Sequence, residues 1–149
     1  MISVLETKVP PPLLLLALAA IVWFLPGTAS SVGRLAFGLP VIVLGLSLNA
    51  LPKLLFRRAG TTVNPLRPEQ SSALITSGLY RYSRNPMYLG YAVALTGWVI
   101  SLGKPLGLLA VGFFVGYVTR LQIMPEERQL AAIFPGEYAL YSATVRRWI

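Results

Sequence analysis

Residues 80–90 read YRYSRNPMYLG: two arginines, an Asn-Pro pair and three tyrosines set directly before a long apolar run. A polar, aromatic stretch at the threshold of an apolar helix has two readings. The plainer one is an interfacial belt, in which Tyr80, Tyr82, Tyr88 and the arginines hold a membrane helix at the water boundary. The sharper one is a binding site. Pro86 suits the first position of a helix, and Asn85 the cap just before it. The helix then starts with free backbone N–H groups, which together with the helix dipole favour a carboxylate or phosphate. Arg81 and Arg84 reinforce that preference.

The chain around this stretch is 149 residues long, 55% hydrophobic and only 12% charged. Soluble domains carry about 25% charged residues, so this composition cannot solvate a globular surface. The apolar residues come in blocks, at 9–25, 35–51, 87–102 and 106–123. A helix crossing the hydrocarbon core needs roughly 17–25 apolar residues, which puts these blocks at the short end. The expected fold is a single all-α integral membrane domain over 1–149. It has about four transmembrane helices, a connection at 52–86 and an amphipathic helical tail at 124–149. Pro10, Pro11 and Pro12 limit where the first helix begins, and Pro40 is expected to kink the second. The first block also reads as a secretory signal with Thr28-Ala29-Ser30 as a cleavage site, although Glu6 offsets the positive charge of Lys8.

Charge placement orients the four spans. With both termini and the 52–86 connection in the cytoplasm, eleven of the thirteen basic residues fall on that face and only Arg34 and Lys104 on the other. The net charge of +8 is therefore mostly topological, and it carries no inference of nucleic-acid binding. The outer loops, 26–33 and 103–105, read as tight turns. Polarity gathers on the cytoplasmic side, in 52–86 and in the tail. Cysteine and histidine are both absent from the sequence. Disulfides, Cys/His metal sites, thiol nucleophiles and imidazole bases are thereby excluded, and no metal is expected. Chemistry here must use carboxylates, Arg, Lys, Tyr, backbone groups or a cofactor.

Two further stretches carry such groups. In RLQIMPEERQL, beginning at Arg120, that arginine lies near the end of the fourth apolar block, where an ionisable side chain either snorkels or works. Pro125, Glu126 and Glu127 are read as opening another helix, whose dipole the two glutamates complement. Three of the five acidic residues sit in this tail. In IFPGEYALYSATVRRWI, beginning at Ile133, a Pro135-Gly136 break divides Leu130, Ile133 and Phe134 from a second short helix with Tyr138, Tyr141 and Val145. Arg146-Arg147-Trp148 reads as an interfacial anchor, and the tail as a surface-lying helix or as a lid over the bundle's mouth.

Taken in order, G-x-Y-R-x-x-R-N-P-M-Y-x-G from Gly78 and E-E-x-x-L-x-x-x-F-x-G-E-Y-x-x-Y-x-x-x-V-R-R-W from Glu126 resemble the isoprenylcysteine carboxyl methyltransferase and phospholipid methyltransferase family. The resemblance covers about residues 60–149, and TTVNP from Thr61 looks like bacterial members. It implies an integral membrane enzyme of a bacterial or archaeal inner membrane. Its activity would be methyl transfer from S-adenosylmethionine, leaving S-adenosylhomocysteine, to a lipophilic carboxylate, lipid amine or thiol drawn from the bilayer. The matching positions assign cofactor binding to Tyr80, Arg84, Asn85, Pro86, Met87, Tyr88, Gly90, Glu126, Glu127, Tyr138 and Tyr141. Arg120 is the candidate for orienting the acceptor and Glu126 for taking a proton from an amine. Prenylcysteine methyltransferases usually carry His where this chain has Asn85, which puts that substrate in question. The alternatives are an NADPH-dependent membrane reductase on a related scaffold and a small four-helix transporter or scaffold. A cation exporter needs an intramembrane carboxylate, and the four blocks contain none. The oligomeric state is not legible.

Overall fold

Proline and glycine punctuate the chain much as the sequence suggests. The computed structural model describes residues 8–28, 31–58 and 74–149. The segment 59–73, with TTVNP and Arg67, and the residues Glu6, Ala29 and Ser30 lie outside those. Every regular element among the described residues is helical. Helix α1 (Pro11–Phe24) starts as soon as the proline run allows, with Pro10 at the cap and a proline in the first turn, where a missing N–H is harmless. Helix α2 (Val32–Arg58) runs through Pro40 and Pro52 without ending. Helix α3 (Pro86–Leu102) stops at Gly103, whose φ of 63° is left-handed backbone that favours glycine.

After a short turn at Pro105–Gly107 comes α4 (Leu108–Val118). It does not end where Pro125 was expected to start a new helix. A π-helical turn, Thr119–Ile123, carries the chain directly into α5 (Met124–Ile133). Pro125 has no N–H for the Leu121 carbonyl and its ring crowds that turn, so the helix widens there instead of breaking. Glu126 and Glu127 consequently sit within a continuous helix, not at a free helix start. Phe134 then breaks the helix, and α6 (Pro135–Thr144) begins at Pro135 as the sequence suggests.

Two helices are long and apolar enough to cross a membrane, Val32–Lys53 and Pro105–Ile133. At about 1.5 Å per residue, the 14 residues of α1 and 17 of α3 span only ~21 and ~26 Å. Leu13, Leu16, Phe24, Phe37, Val43, Leu109 and Phe113 are exposed on α1, α2 and α4. Inside, Leu18, Tyr88, Leu95, Phe114, Val118 and Ile123 form the main core. Trp98 donates from Nε1 to the Ala19 carbonyl (3.0 Å) and stacks on Trp23, pinning α1 to α3. Helix α2 packs antiparallel along α3 through Gly38 and Gly45 against Gly97 and Gly90. There a Cβ would meet the opposite helix's backbone within 3 Å.

The two ends of the bundle differ in chemistry. At one, Thr28 N–H donates to the Gly103 carbonyl (3.2 Å), Lys104 Nζ to the Trp23 carbonyl, and the Arg34 guanidinium to Thr28 Oγ1. The other end collects the polar motifs.

Candidate functional site

Three stretches distant in sequence meet at that second end: the entry to α3, the first turns of α5, and residues 145–148. Arg84 and Asn85 precede α3. Asn85 occupies the cap position but does not cap: its Nδ2 donates to the Arg147 carbonyl (3.0 Å), and its own N–H donates to Ser83 Oγ. The first turn of α3 is thus left without a side-chain cap.

Glu127 is the hub. Its Oε1 accepts from Arg147 Nε (3.0 Å) and lies 3.1 Å from Arg84 Nη2, while Oε2 accepts from Arg147 Nη2 (2.7 Å). The Arg147 contact is a two-point fork, the strong form of a carboxylate–guanidinium pair. Arg84 also reaches the Tyr138 hydroxyl (3.4 Å) and lies 6.0 Å from the centre of that ring. The buried Nε of Arg84 has no hydrogen-bond partner among the described residues. Two arginines around one glutamate leave the cluster net positive. The hydrogen bonds that Arg147 donates to Glu127 hold its guanidinium above its ordinary pKa.

Beside this network, the Tyr88 hydroxyl donates to Glu126 Oε1 at 2.6 Å. On the other flank, Tyr80, Tyr138 and Tyr141 form a buried cluster with Leu130, Phe134 and Val145 packed on it. The Tyr141 hydroxyl donates to the Tyr80 carbonyl (2.8 Å), tying α6 to the turn at Gly78–Arg81. Burial pushes all three tyrosine hydroxyls above their ordinary pKa. For Tyr138 the Glu127 charge adds to that and Arg84 opposes it. An open cleft of about 600 Å³ lies along this flank, between Leu74, Arg81, Glu137 and Tyr141.

Of the residues expected to act together, Tyr80, Arg84, Asn85, Tyr88, Glu126, Glu127, Tyr138 and Tyr141 do gather here. Pro86 is buried at the first position of α3. Met87 contributes its carbonyl to Asn49 Nδ2 (3.0 Å), away from the arginines. Gly90 faces α2, where its role is close packing against Gly45 and Asn49. Arg120 stands exposed on the π turn with its guanidinium against Met124 Sδ, outside the Arg84–Glu127 network. Ile133 is exposed, while Leu130 and Phe134 pack inward.

Sequence reading missed three contributors. Arg147 and Trp148 are not simple interfacial anchors: one binds Glu127, and the other donates from Nε1 to Thr119 Oγ1 (3.2 Å). Asn49 is a buried amide linked to Lys53 Nζ (2.8 Å). A lone amide within an apolar block was its available signal.

A family model described as phospholipid methyltransferase matches residues 33–137. Protein-S-isoprenylcysteine O-methyltransferase B of Arabidopsis thaliana is 30% identical over 128 residues, covering 86% of this chain and 64% of that protein. Protein-S-isoprenylcysteine O-methyltransferase A of the same plant is 28% identical over 109 residues, covering 73% and 55%. The Saccharomyces cerevisiae protein-S-isoprenylcysteine O-methyltransferase is 32% identical over 79 residues, covering 53% and 33%. The chain thus spans under two thirds of the length of these curated relatives. No solved structure matches it.

Proposed function

The chain belongs to the isoprenylcysteine carboxyl methyltransferase and phospholipid methyltransferase family. From that premise we propose that it transfers a methyl group from S-adenosylmethionine to a lipophilic acceptor, at the end of the bundle carrying Arg84, Glu126 and Glu127. The observation that carries the reading is Arg84. Its side chain is 14% exposed, and its buried Nε has no partner among the described residues. A buried donor without an acceptor costs free energy. A carboxylate seated between Arg84 and the uncapped start of α3 takes that donor together with free backbone N–H groups. The methionyl portion of the cofactor offers such a carboxylate. The net positive Arg84–Glu127–Arg147 cluster favours it as well.

The remaining groups fit complementary parts. The Glu126 carboxylate, oriented by the Tyr88 hydroxyl, suits an ammonium or ribose hydroxyls. The faces of Tyr138 and Tyr141 suit a cation. When bound, the cofactor supplies a methyl group already activated for in-line displacement. The protein's own work is to hold the acceptor in line and keep water away. Arg120, exposed on the π turn, serves to orient a carboxylate or phosphate arriving from the bilayer. A carboxylate acceptor attacks without losing a proton; an amine acceptor must lose one, and Glu126 is the group that takes it.

The same reading gives the bundle four membrane crossings, α1 to α4, with the site end toward the cytoplasm and α5, α6 and 145–148 as a tail closing it. Supporting this are the exposed apolar residues on α1, α2 and α4, and the location of Arg34 and Lys104 at the opposite end.

The test is label transfer from methyl-tritiated S-adenosylmethionine by the detergent-purified protein. Two acceptors are offered, an S-prenylated cysteine with a free carboxyl and a phospholipid with a primary amine. Base-labile label marks a carboxyl ester and base-stable label an N-methyl group. Label in neither, and none in a total lipid extract, by protein shown to be folded, contradicts the proposal.

A further inference from the structure

Residues 145–148 leave α6 without helical structure, with extended φ −116° and ψ 129° at Val145. They then cross from the entry of α3 to the π turn. Each attachment is separate. The Arg84 N–H donates to the Arg146 carbonyl (3.0 Å), and Asn85 Nδ2 to the Arg147 carbonyl (3.0 Å). The Arg147 side chain forks onto Glu127. At the far end the Trp148 indole donates to Thr119 Oγ1 and packs against the core cluster that contains Tyr88. The Thr119 hydroxyl donates in turn to the Val115 carbonyl (2.6 Å), which aims its lone pair at the indole. Thr119 is the first residue of the π turn, so that turn gives the segment its distal fastening.

We infer that residues 145–148 are a strap whose release admits and frees the cofactor, with the Trp148–Thr119 bond as its catch; this rests on the cofactor reading above. The strap touches both halves of the site, Arg84 and Asn85 on one side and the π turn leading to Glu126 on the other. A ligand carboxylate between Arg84 and the first turn of α3 lies next to the carbonyls of Arg146 and Arg147, and it exchanges when they lift. The segment has no helical hydrogen-bond ladder of its own. Its opening therefore breaks these contacts and unpacks Val145 and Trp148, whereas opening α3 or α4 would cost the core itself. Among the described residues the catch has one hydrogen bond and the packing of a half-buried indole but no ion pair, so it opens before the Arg147–Glu127 fork.

The measurement is the association and dissociation rates of S-adenosylhomocysteine with the full chain in detergent, for the parent, Trp148→Phe, Thr119→Val and Thr119→Ser. Loss of one hydrogen bond changes the opening equilibrium by about fivefold. Trp148→Phe and Thr119→Val are expected to raise both rates by about that factor, leaving the dissociation constant within about twofold, whereas Thr119→Ser keeps the hydroxyl and the parent's rates. Hydrogen exchange at the Arg84 amide, measured without ligand, rises in the same two variants. A rise in dissociation alone, with affinity falling in step, makes Trp148 a ligand contact and overturns the gate. So do unchanged rates in both variants. No binding by the folded parent overturns the cofactor reading, and the gate with it.

Discussion

Gly45 of α2 and Gly90 of α3 face each other so closely that a Cβ built on either meets the other's carbonyl oxygen, at 2.6 and 2.5 Å. Neither carbonyl can move without moving its helix. In an ordinary helix Gly→Ala gains about 0.5–1 kcal/mol. Here overpacking of about 1–3 kcal/mol outweighs that gain. We expect Gly45→Ala and Gly90→Ala to lower the thermal midpoint in detergent. Gly112→Ala and Gly116→Ala on α4, where nothing lies within 4 Å, should leave it unchanged or raise it.

Glu127 is 16% exposed and answers two guanidinium groups. Glu127→Gln keeps the shape but removes the charge that both arginines face. The loss is expected at about 1.5–3 kcal/mol of stability, the range for hydrogen bonds to charged groups. S-adenosylhomocysteine affinity should fall at least tenfold, because Arg84 and Arg147 lose their fixed positions. Denaturant titration checks the first and equilibrium binding the second. A Glu127→Ala protein that folds and binds as tightly as the parent removes this residue from the site.

The Tyr88 hydroxyl and Glu126 carboxylate form one unit at 2.6 Å. Tyr88→Phe and Glu126→Gln should each reduce methyl transfer by about tenfold or more. The double variant should be little worse than the more damaging single one, as residues in one hydrogen-bonded pair are non-additive. Fully multiplicative losses would mean that the two groups act separately.

The chain contains no cysteine, so single introduced thiols report sidedness without background. Gly33 and Gly136 both border open space, in the first turns of α2 and α6. With four crossings, a thiol in Gly136→Cys is labelled by an impermeant reagent only from the cytoplasmic side, and one in Gly33→Cys only from the other. Labelling of both from one side contradicts the four-span orientation.

Features set by neighbouring residues were legible in sequence. The start of α3 at Pro86 and the break at Pro135 follow from backbone restrictions that proline imposes alone. The expected span at 87–102 differs from α3 by one residue. Features that need a distant partner were not legible. Asn85 was expected to cap because Asn usually does, yet the Arg147 carbonyl, 62 positions away, claims its amide. Gly90 looked like part of a ligand motif, and its constraint proves to be the facing backbone of α2. Pro125 was read as a helix start, but tertiary packing of Gln122 and Ile123 keeps the helix continuous, with the strain taken up as a π turn. The gathering of the two motif stretches at one end of the bundle was expected from charge placement along the whole chain and from their resemblance, not from any local rule.

The central claim is that this end of the bundle binds S-adenosylmethionine. Its most direct test is calorimetric titration of S-adenosylhomocysteine into the detergent-purified protein, with NADPH titrated in parallel and Arg84→Lys as the control. Micromolar binding of the first and none of the second, weakened at least tenfold in Arg84→Lys, is the result we expect. Binding of NADPH in its place, or of neither ligand by folded protein, contradicts the account and returns residues 80–90 to a membrane-interface anchor.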